Sequence, residues 1–259
     1  MLGAIAGDVI GSVYEYAGIK TTDFPLFTRA TTFTDDSVMT AAVAAALVED
    51  RDYAAVLRDY GRSHSGRGYG SLFGEWLRDP SMGPYQSWGN GSAMRVSPVS
   101  RVFEAENRVL EEARRSAEVT HDHPEGIRGA ESVALAVFLA RHGADKAEIK
   151  RRVAMHSGYA LDASVEEIRP TYGFQESCYG SVPQSIICFL ESNNFEHAVR
   201  LAISLGGDAD TMACIAGAIA EAHYGGVPAS IADPVRDLLS EDLIEVLDRY
   251  EALFPVSNC

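Results

Sequence analysis

The sequence predicts an all-α protein folded as one compact helical-bundle domain over residues 1–259. Three observations carry that prediction. Apolar residues recur at helical spacing along most of the chain, and no alternating strand flanked by hairpin signals is present. Segments 37–47, 129–140 and 211–222 carry Ala, Gly or Ser on nearly every face, the pattern of helices buried in mid-bundle at close approach. With 46% hydrophobic and 23% charged residues in 259, the chain has the ordinary composition of a soluble domain and enough length for one large core.

The spacing predicts helices over 2–17, 37–50, 52–61, 70–78, 107–117, 126–142, 145–155, 180–191, 194–205, 210–224 and 234–252. In the first, Gly3, Gly7 and Gly11 fall on one stripe that lets another helix pack closely, and Asp8 beside it reads as a buried anchor for a neighbouring loop. The amphipathic segment 234–252 belongs to the outer layer. Long irregular stretches at 18–34, 79–100 and 156–179 join these elements, and loops of that length often carry function.

The net charge of −15 argues against a groove for nucleic-acid backbone or an anionic membrane. No apolar run approaches the roughly 20 residues needed to cross a bilayer. The apolar N-terminus is interrupted by Asp8 and has no basic leader, so it does not read as a signal peptide. Cys178, Cys188, Cys214 and Cys259 show neither metal-ligand nor disulfide spacing, which points to a reduced, cytoplasmic compartment.

Two distant acidic clusters share one local design. Thr34-Asp35-Asp36 runs into the small-residue segment 37–47, and Asp208-Ala209-Asp210-Thr211, preceded by Gly206-Gly207, runs into 212–220. Either alone fits N-terminal helix capping, the second less readily, because Gly206-Gly207 before it suggests unusual dihedrals or a close contact. Brought together, four carboxylates would repel one another and take up protons unless cations of the magnesium or manganese type lay between them. Four carboxylates are generous for one ion and suit a bridged pair. Glu15 reads either as surface charge or as a carboxylate that handles a proton beside the metals.

The turn Ser87-Trp88-Gly89-Asn90-Gly91 can offer N–H groups to a phosphate, and Trp88 can stack on a base or fill the core. Arg67-Gly68-Tyr69-Gly70 is a similar element. His121-Asp122, with His64 upstream, allows a second reading as an HD-type phosphohydrolase, which leaves both acidic clusters without a role.

Taken in order, Gly3-x-x-x-Gly7-Asp8-x-x-Gly11-x-x-x-Glu15, Thr34-Asp35-Asp36, Arg67-Gly68-Tyr69-Gly70, Gly89-Asn90-Gly91-Ser92-Ala93-Met94-Arg95, Thr120-His121 and Ser204-Leu205-Gly206-Gly207-Asp208-Ala209-Asp210-Thr211 resemble the ADP-ribosylglycohydrolase family. Glu15, the Arg-Gly-Tyr-Gly element and Ser181-Val182-Pro183 are most similar to the branch of ADP-ribosylserine and poly(ADP-ribose) hydrolases. The resemblance implies an orthogonal all-α fold around two magnesium ions, with manganese as the alternative cation. It implies Thr34, Asp35, Asp36, Asp208, Asp210 and Thr211 as metal ligands, Glu15 or Asp35 as the catalytic carboxylate, and Tyr69, Gly70, Ser87, Trp88, Gly89, Asn90 and His121 along the ADP-ribose. The expected partner is an ADP-ribosylated protein or another ADP-ribosylated acceptor, with ADP-ribose as product. The non-enzymatic rival is an ADP-ribose-binding or structural protein without turnover.

Overall fold

The computed structural model describes residues 1–255; Cys259 lies outside them. The helices are α1 (Leu2–Gly11), α2 (Asp35–Glu49), α3 (Tyr53–Ser63), α4 (Ser71–Arg78), α5 (Gly91–Met94), α6 (Val99–Val102), α7 (Glu106–Glu118) and α8 (Pro124–Arg141). They continue with α9 (Lys146–Ser157), α10 (Val165–Ile168), α11 (Cys178–Glu191), α12 (Phe195–Ser204), α13 (Ala209–Tyr224), α14 (Ala229–Leu238) and α15 (Glu241–Leu253). Among the described residues no strand forms, and one antiparallel bridge joins Gly89 to Ser177.

Glycine decides how the centre is built. A Cβ on Gly7 would lie 2.0 Å from the Ala213 carbonyl oxygen, and one on Gly11 would lie 2.5 Å from the Asp210 Cα. Only hydrogen fits there, so α1 lies backbone to backbone along α13. Every residue of α1, and α13 from Ala209 to Glu221, is buried. α2 and α8, rich in alanine, complete the interior, and one connected apolar cluster runs from Met1 to Tyr250.

Two predicted boundaries are corrected. The first helix stops at Gly11 rather than 17. The Ser12 hydroxyl bonds back to the Val9 carbonyl at 2.9 Å, and the chain continues in turns to Gly18, whose φ is +59°. Glu15 therefore sits on a turn, free of helical register. The segment read as 234–252 is two helices, α14 and α15, separated at the extended Leu239.

Candidate metal and ligand cleft

The close packing of α1 on α13 delivers the first ingredient of the site. Asp8, fully buried on α1, faces the N-terminus of α2. Its carboxylate accepts from the Thr34 N–H (3.0 Å), the Thr34 hydroxyl (2.6 Å), the Ser37 N–H (3.0 Å) and the Ser37 hydroxyl. The anchor role read from the sequence is thus realised. Donating to Asp8 fixes the Thr34 hydroxyl, whose oxygen accepts weakly from the Asp36 N–H at 3.3 Å. A further lone pair remains for a cation, the way an outer partner orients a metal ligand.

The Arg67-Gly68-Tyr69-Gly70 element braces the same turn. The Arg67 carbonyl accepts from the Asp35 N–H at 2.8 Å, and the Arg67 guanidinium lies 3.6 Å above the Phe33 ring. Gly68 has φ +102°, and a Cβ there would approach Asp35 Oδ1 to 3.2 Å.

The second cluster is held differently. Asp208 stands at the N-cap position of α13 without a side-chain capping bond and accepts from Asn90 Nδ2 at 2.7 Å, and that amide also donates to Ser181 Oγ at 3.2 Å. The bridge at Gly89 fixes the turn: the Asn90 N–H donates to the Glu176 carbonyl (2.8 Å) and the Cys178 N–H to the Trp88 carbonyl (3.0 Å).

The two helix starts meet. Burial, and then the negative charge of Asp8, push the Asp35 carboxyl up to about 8, with Asp208 and Glu15 adding to the effect. Burial raises Asp36 well above its ordinary range, and Asp8, Asp35 and Asp208 raise it further. Asp210 rises for the same reason, burial first and then Asp36 and Asp208. Burial also raises Asp208, against hydrogen bonds that favour its charged form. Carboxylate oxygens of Glu15, Asp208 and Asp210 come within 4.8 Å of one another. Asp36 Oδ2 is buried without a hydrogen-bond partner among the described residues, and the Thr211 hydroxyl, beside Asp36 and Asp208, makes a long contact with the Met94 sulfur at 3.9 Å. Unsatisfied hard oxygens beside crowded carboxylates fit divalent cations of the magnesium class.

These residues form one end of a cleft of about 460 Å³. Glu15, Asp35, Asp36, Glu176, Asp208 and Asp210 line it, against Arg95 alone among lysines and arginines. An anionic ligand could enter only with cations to offset that field. The cleft also holds Gly70, Ser87, Trp88, Gly89, Asn90 and His121 from the sequence reading, and Trp88 is 56% exposed. Tyr69 stands outside the lining, its ring stacked on Phe73 at 5.6 Å and its hydroxyl buried without a partner.

Several lining residues escaped the sequence reading. Tyr16 and Phe174 stack at 5.5 Å across the rim, and Tyr85, Gln86 and Glu176 come from loops without periodicity. Only the chemistry of an exposed aromatic next to Glu15 could have signalled Tyr16.

The HD-type reading fails on geometry. The His64 ring faces Ser240 (3.3 Å) and Asp242 (3.2 Å), and both Asp122 carboxylate oxygens accept from Gln86. His121 and Asp122 therefore lack the third ligand.

The chain is similar to known proteins over most of its length. The ADP-ribosylglycohydrolase family profile matches residues 1–258. The chain is 30% identical to ADP-ribosylhydrolase ARH3 of Danio rerio, over 87% of this chain and 81% of that protein. It is equally similar to ADP-ribosylhydrolase ARH3 of Homo sapiens, at 30% over 87% and 84%. An ADP-ribosylarginine hydrolase of Pseudomonas putida is 27% identical over 88% of this chain and 71% of its own length. A solved structure described as an ADP-ribosylglycohydrolase-related protein complex shares the fold, with a TM-score of 0.69 at 24% identity over 99% of this chain and 97% of that one.

Proposed function

The chain belongs to the ADP-ribosylglycohydrolase family, and from that premise we propose that it is a magnesium-dependent hydrolase cleaving the glycosidic bond between ADP-ribose and a modified acceptor, most naturally a protein side chain. The observation that carries this reading is that Asp35 and Asp36 from one helix start and Asp208 and Asp210 from the other line one cleft, with Asp36 Oδ2 buried and unpartnered among the described residues. Raised, crowded carboxylates gathered in a cleft are the pattern of a reacting site, which favours turnover over binding alone.

On this reading Thr34, Asp35, Asp36, Asp208, Asp210 and Thr211 hold two magnesium ions, or manganese in their place. When bound, such ions supply positive charge that orients the hydroxyls of the reacting ribose and offsets the carboxylates. The chain's own groups do the rest. The water oxygen attacks the anomeric carbon as its bond to the acceptor breaks. One water proton goes to a carboxylate and a proton reaches the departing acceptor. Glu15 suits the transfer because it is half-buried on a turn beside Asp208 and Asp210, and burial raises its carboxyl above the ordinary range. Asp35 is the alternative base. The remaining acidic side chains stabilise positive charge building on the ribose.

Ser87, Trp88, Gly89, Asn90 and His121 would receive the diphosphate and adenosine, with Gly70 on the same wall. Tyr69 then contributes from beneath, through Phe73. The same reading takes residues 1–259 as one working domain, and among the described residues the buried free thiols of Cys178, Cys188 and Cys214 support a reduced cytoplasmic setting.

A panel of ADP-ribosylated peptides, proteins and nucleic-acid ends, with and without magnesium, tests the proposal by mass spectrometry of the released sugar nucleotide. ADP-ribose should appear from at least one acceptor with magnesium, vanish with EDTA and return with manganese. ADP-ribose binding without release from any acceptor would make this a binding protein instead.

A further inference from the structure

Behind the glycine-rich turn lies a chain of hydrogen bonds that the catalytic account does not use. Arg95, 1% exposed, donates from Nη2 to the Ser116 carbonyl and to the Thr120 hydroxyl oxygen, each at 2.9 Å. Arginine has donors only, so Thr120 Oγ1 must accept there. The same oxygen lies 2.7 Å from His121 Nδ1.

Two proton arrangements fit that distance. If Nδ1 carried the proton, Thr120 Oγ1 would take two donors, and its own proton would be left without an acceptor. Thr120 is fully buried, and among the described residues its hydroxyl has no other hydrogen-bond partner. That proton would bear the full cost of desolvation. If Thr120 donates to Nδ1 instead, every group is satisfied. The second arrangement wins.

An accepting Nδ1 leaves a neutral imidazole with its proton on Nε2. Neutrality is consistent with the surroundings: burial, and then the Arg95 charge, hold His121 well below its ordinary range. Nε2 faces the cleft. It would stand 3.3 Å from a Cβ on Gly91 and 3.6 Å from one on Gly89, and no acceptor for it lies among the described residues. The Tyr85 ring, 6.1 Å away, backs the imidazole.

We propose that Arg95 and Thr120 are positioning residues that lock His121 as the Nε2–H tautomer, giving the cleft a fixed neutral donor beside the Gly89–Gly91 turn for an anionic ligand oxygen. The identity of that oxygen rests on the reading above: in ADP-ribose it belongs to the diphosphate.

Nitrogen-resolved NMR of the histidine side chains in the full chain reads the tautomer directly. In the wild-type protein His121 should show a protonated Nε2 and a bare Nδ1. Thr120→Val removes the hydroxyl at nearly constant volume and leaves Nδ1 without its donor; the Nδ1 resonance should move from its wild-type position as the imidazole loses its fixed orientation, and ADP-ribose binding should weaken by about tenfold or more, the scale of a lost hydrogen bond to a charged group. Thr120→Ser should restore both. A wild-type His121 protonated on Nδ1 overturns the proposal whether or not the valine variant folds. So does a folded Thr120→Val protein with the Nδ1 resonance and the affinity unchanged. Wild-type protein with the expected tautomer but no affinity for ADP-ribose in magnesium would uphold the relay and sink the ligand assignment.

Discussion

The two ends of α13 bury carboxylates in opposite ways. At the C-terminal end Glu221 accepts from the Met1 ammonium at 2.6 Å and the Gly3 N–H at 2.9 Å, with the Arg101 guanidinium 3.6 Å away. Burial by itself would raise its carboxyl, but the two cations outweigh that and hold it below the usual range. At the N-terminal end Asp208 and Asp210 meet Asp35 and Asp36 with no such cation, and all four are raised. The chain compensates a buried carboxylate where the role is structural. Leaving Asp208 and Asp210 of α13 without a cation, against Asp35 and Asp36 of α2, marks that end as the place where charge arrives from outside.

The largest test of that contrast is loss of activity. Asp210→Ala should keep the fold and lower magnesium-dependent ADP-ribose release by about a thousandfold or more, ~4 kcal/mol of transition-state stabilisation. Retained turnover would break the comparison at its functional end.

At the structural end the effect should be on stability. Glu221→Ala leaves the Met1 ammonium and Arg101 buried without their partner, which costs about 3 kcal/mol or more. Chemical denaturation should show that loss, with the KM of the surviving folded enzyme unchanged. A neutral result would mean the pair compensates nothing.

The pH dependence sharpens the contrast with a smaller effect. A carboxyl raised in the folded state binds protons more tightly there than in the unfolded chain. Its contribution is complete below the unfolded value, about 4, and is lost as pH rises through the folded one. In chelator, stability at the aspartate end should therefore fall from about pH 4 towards 8, the value to which Asp35 is pushed. Glu221, held low, works the other way: its contribution is present above the unfolded value and is lost as pH falls through the folded one. Denaturation midpoints measured across that range should fall with EDTA and flatten with magnesium. A midpoint that climbs with pH in EDTA would contradict the uncompensated cluster.

The helical class and the main helices were legible because 3.6-residue periodicity and all-round small residues both report on burial. The glycine stripe and Asp8 were legible for a related reason: a close helix contact admits only glycine, and an acid beside it must find partners. The two acidic clusters were visible as repeated local designs, and the fold brings them together. What escaped was set by tertiary contact alone. Ser12 ends α1 early through a side-chain bond, so Glu15 has no helical register. Tyr16 and Phe174 meet across two loops, and Arg95 acts through Thr120, pairings that no spacing in the sequence encodes. The resemblance puts Tyr69 and Gly70 together along the cleft; the structure keeps Gly70 in the lining and stacks the Tyr69 ring on Phe73.

Anomalous scattering from crystals of the protein grown with manganese tests the central claim most directly. The account predicts manganese between the start of α2 and the start of α13, bound by both Asp36 and Asp210. Manganese found elsewhere on the protein, or a cleft that takes up none at millimolar concentration, would contradict it.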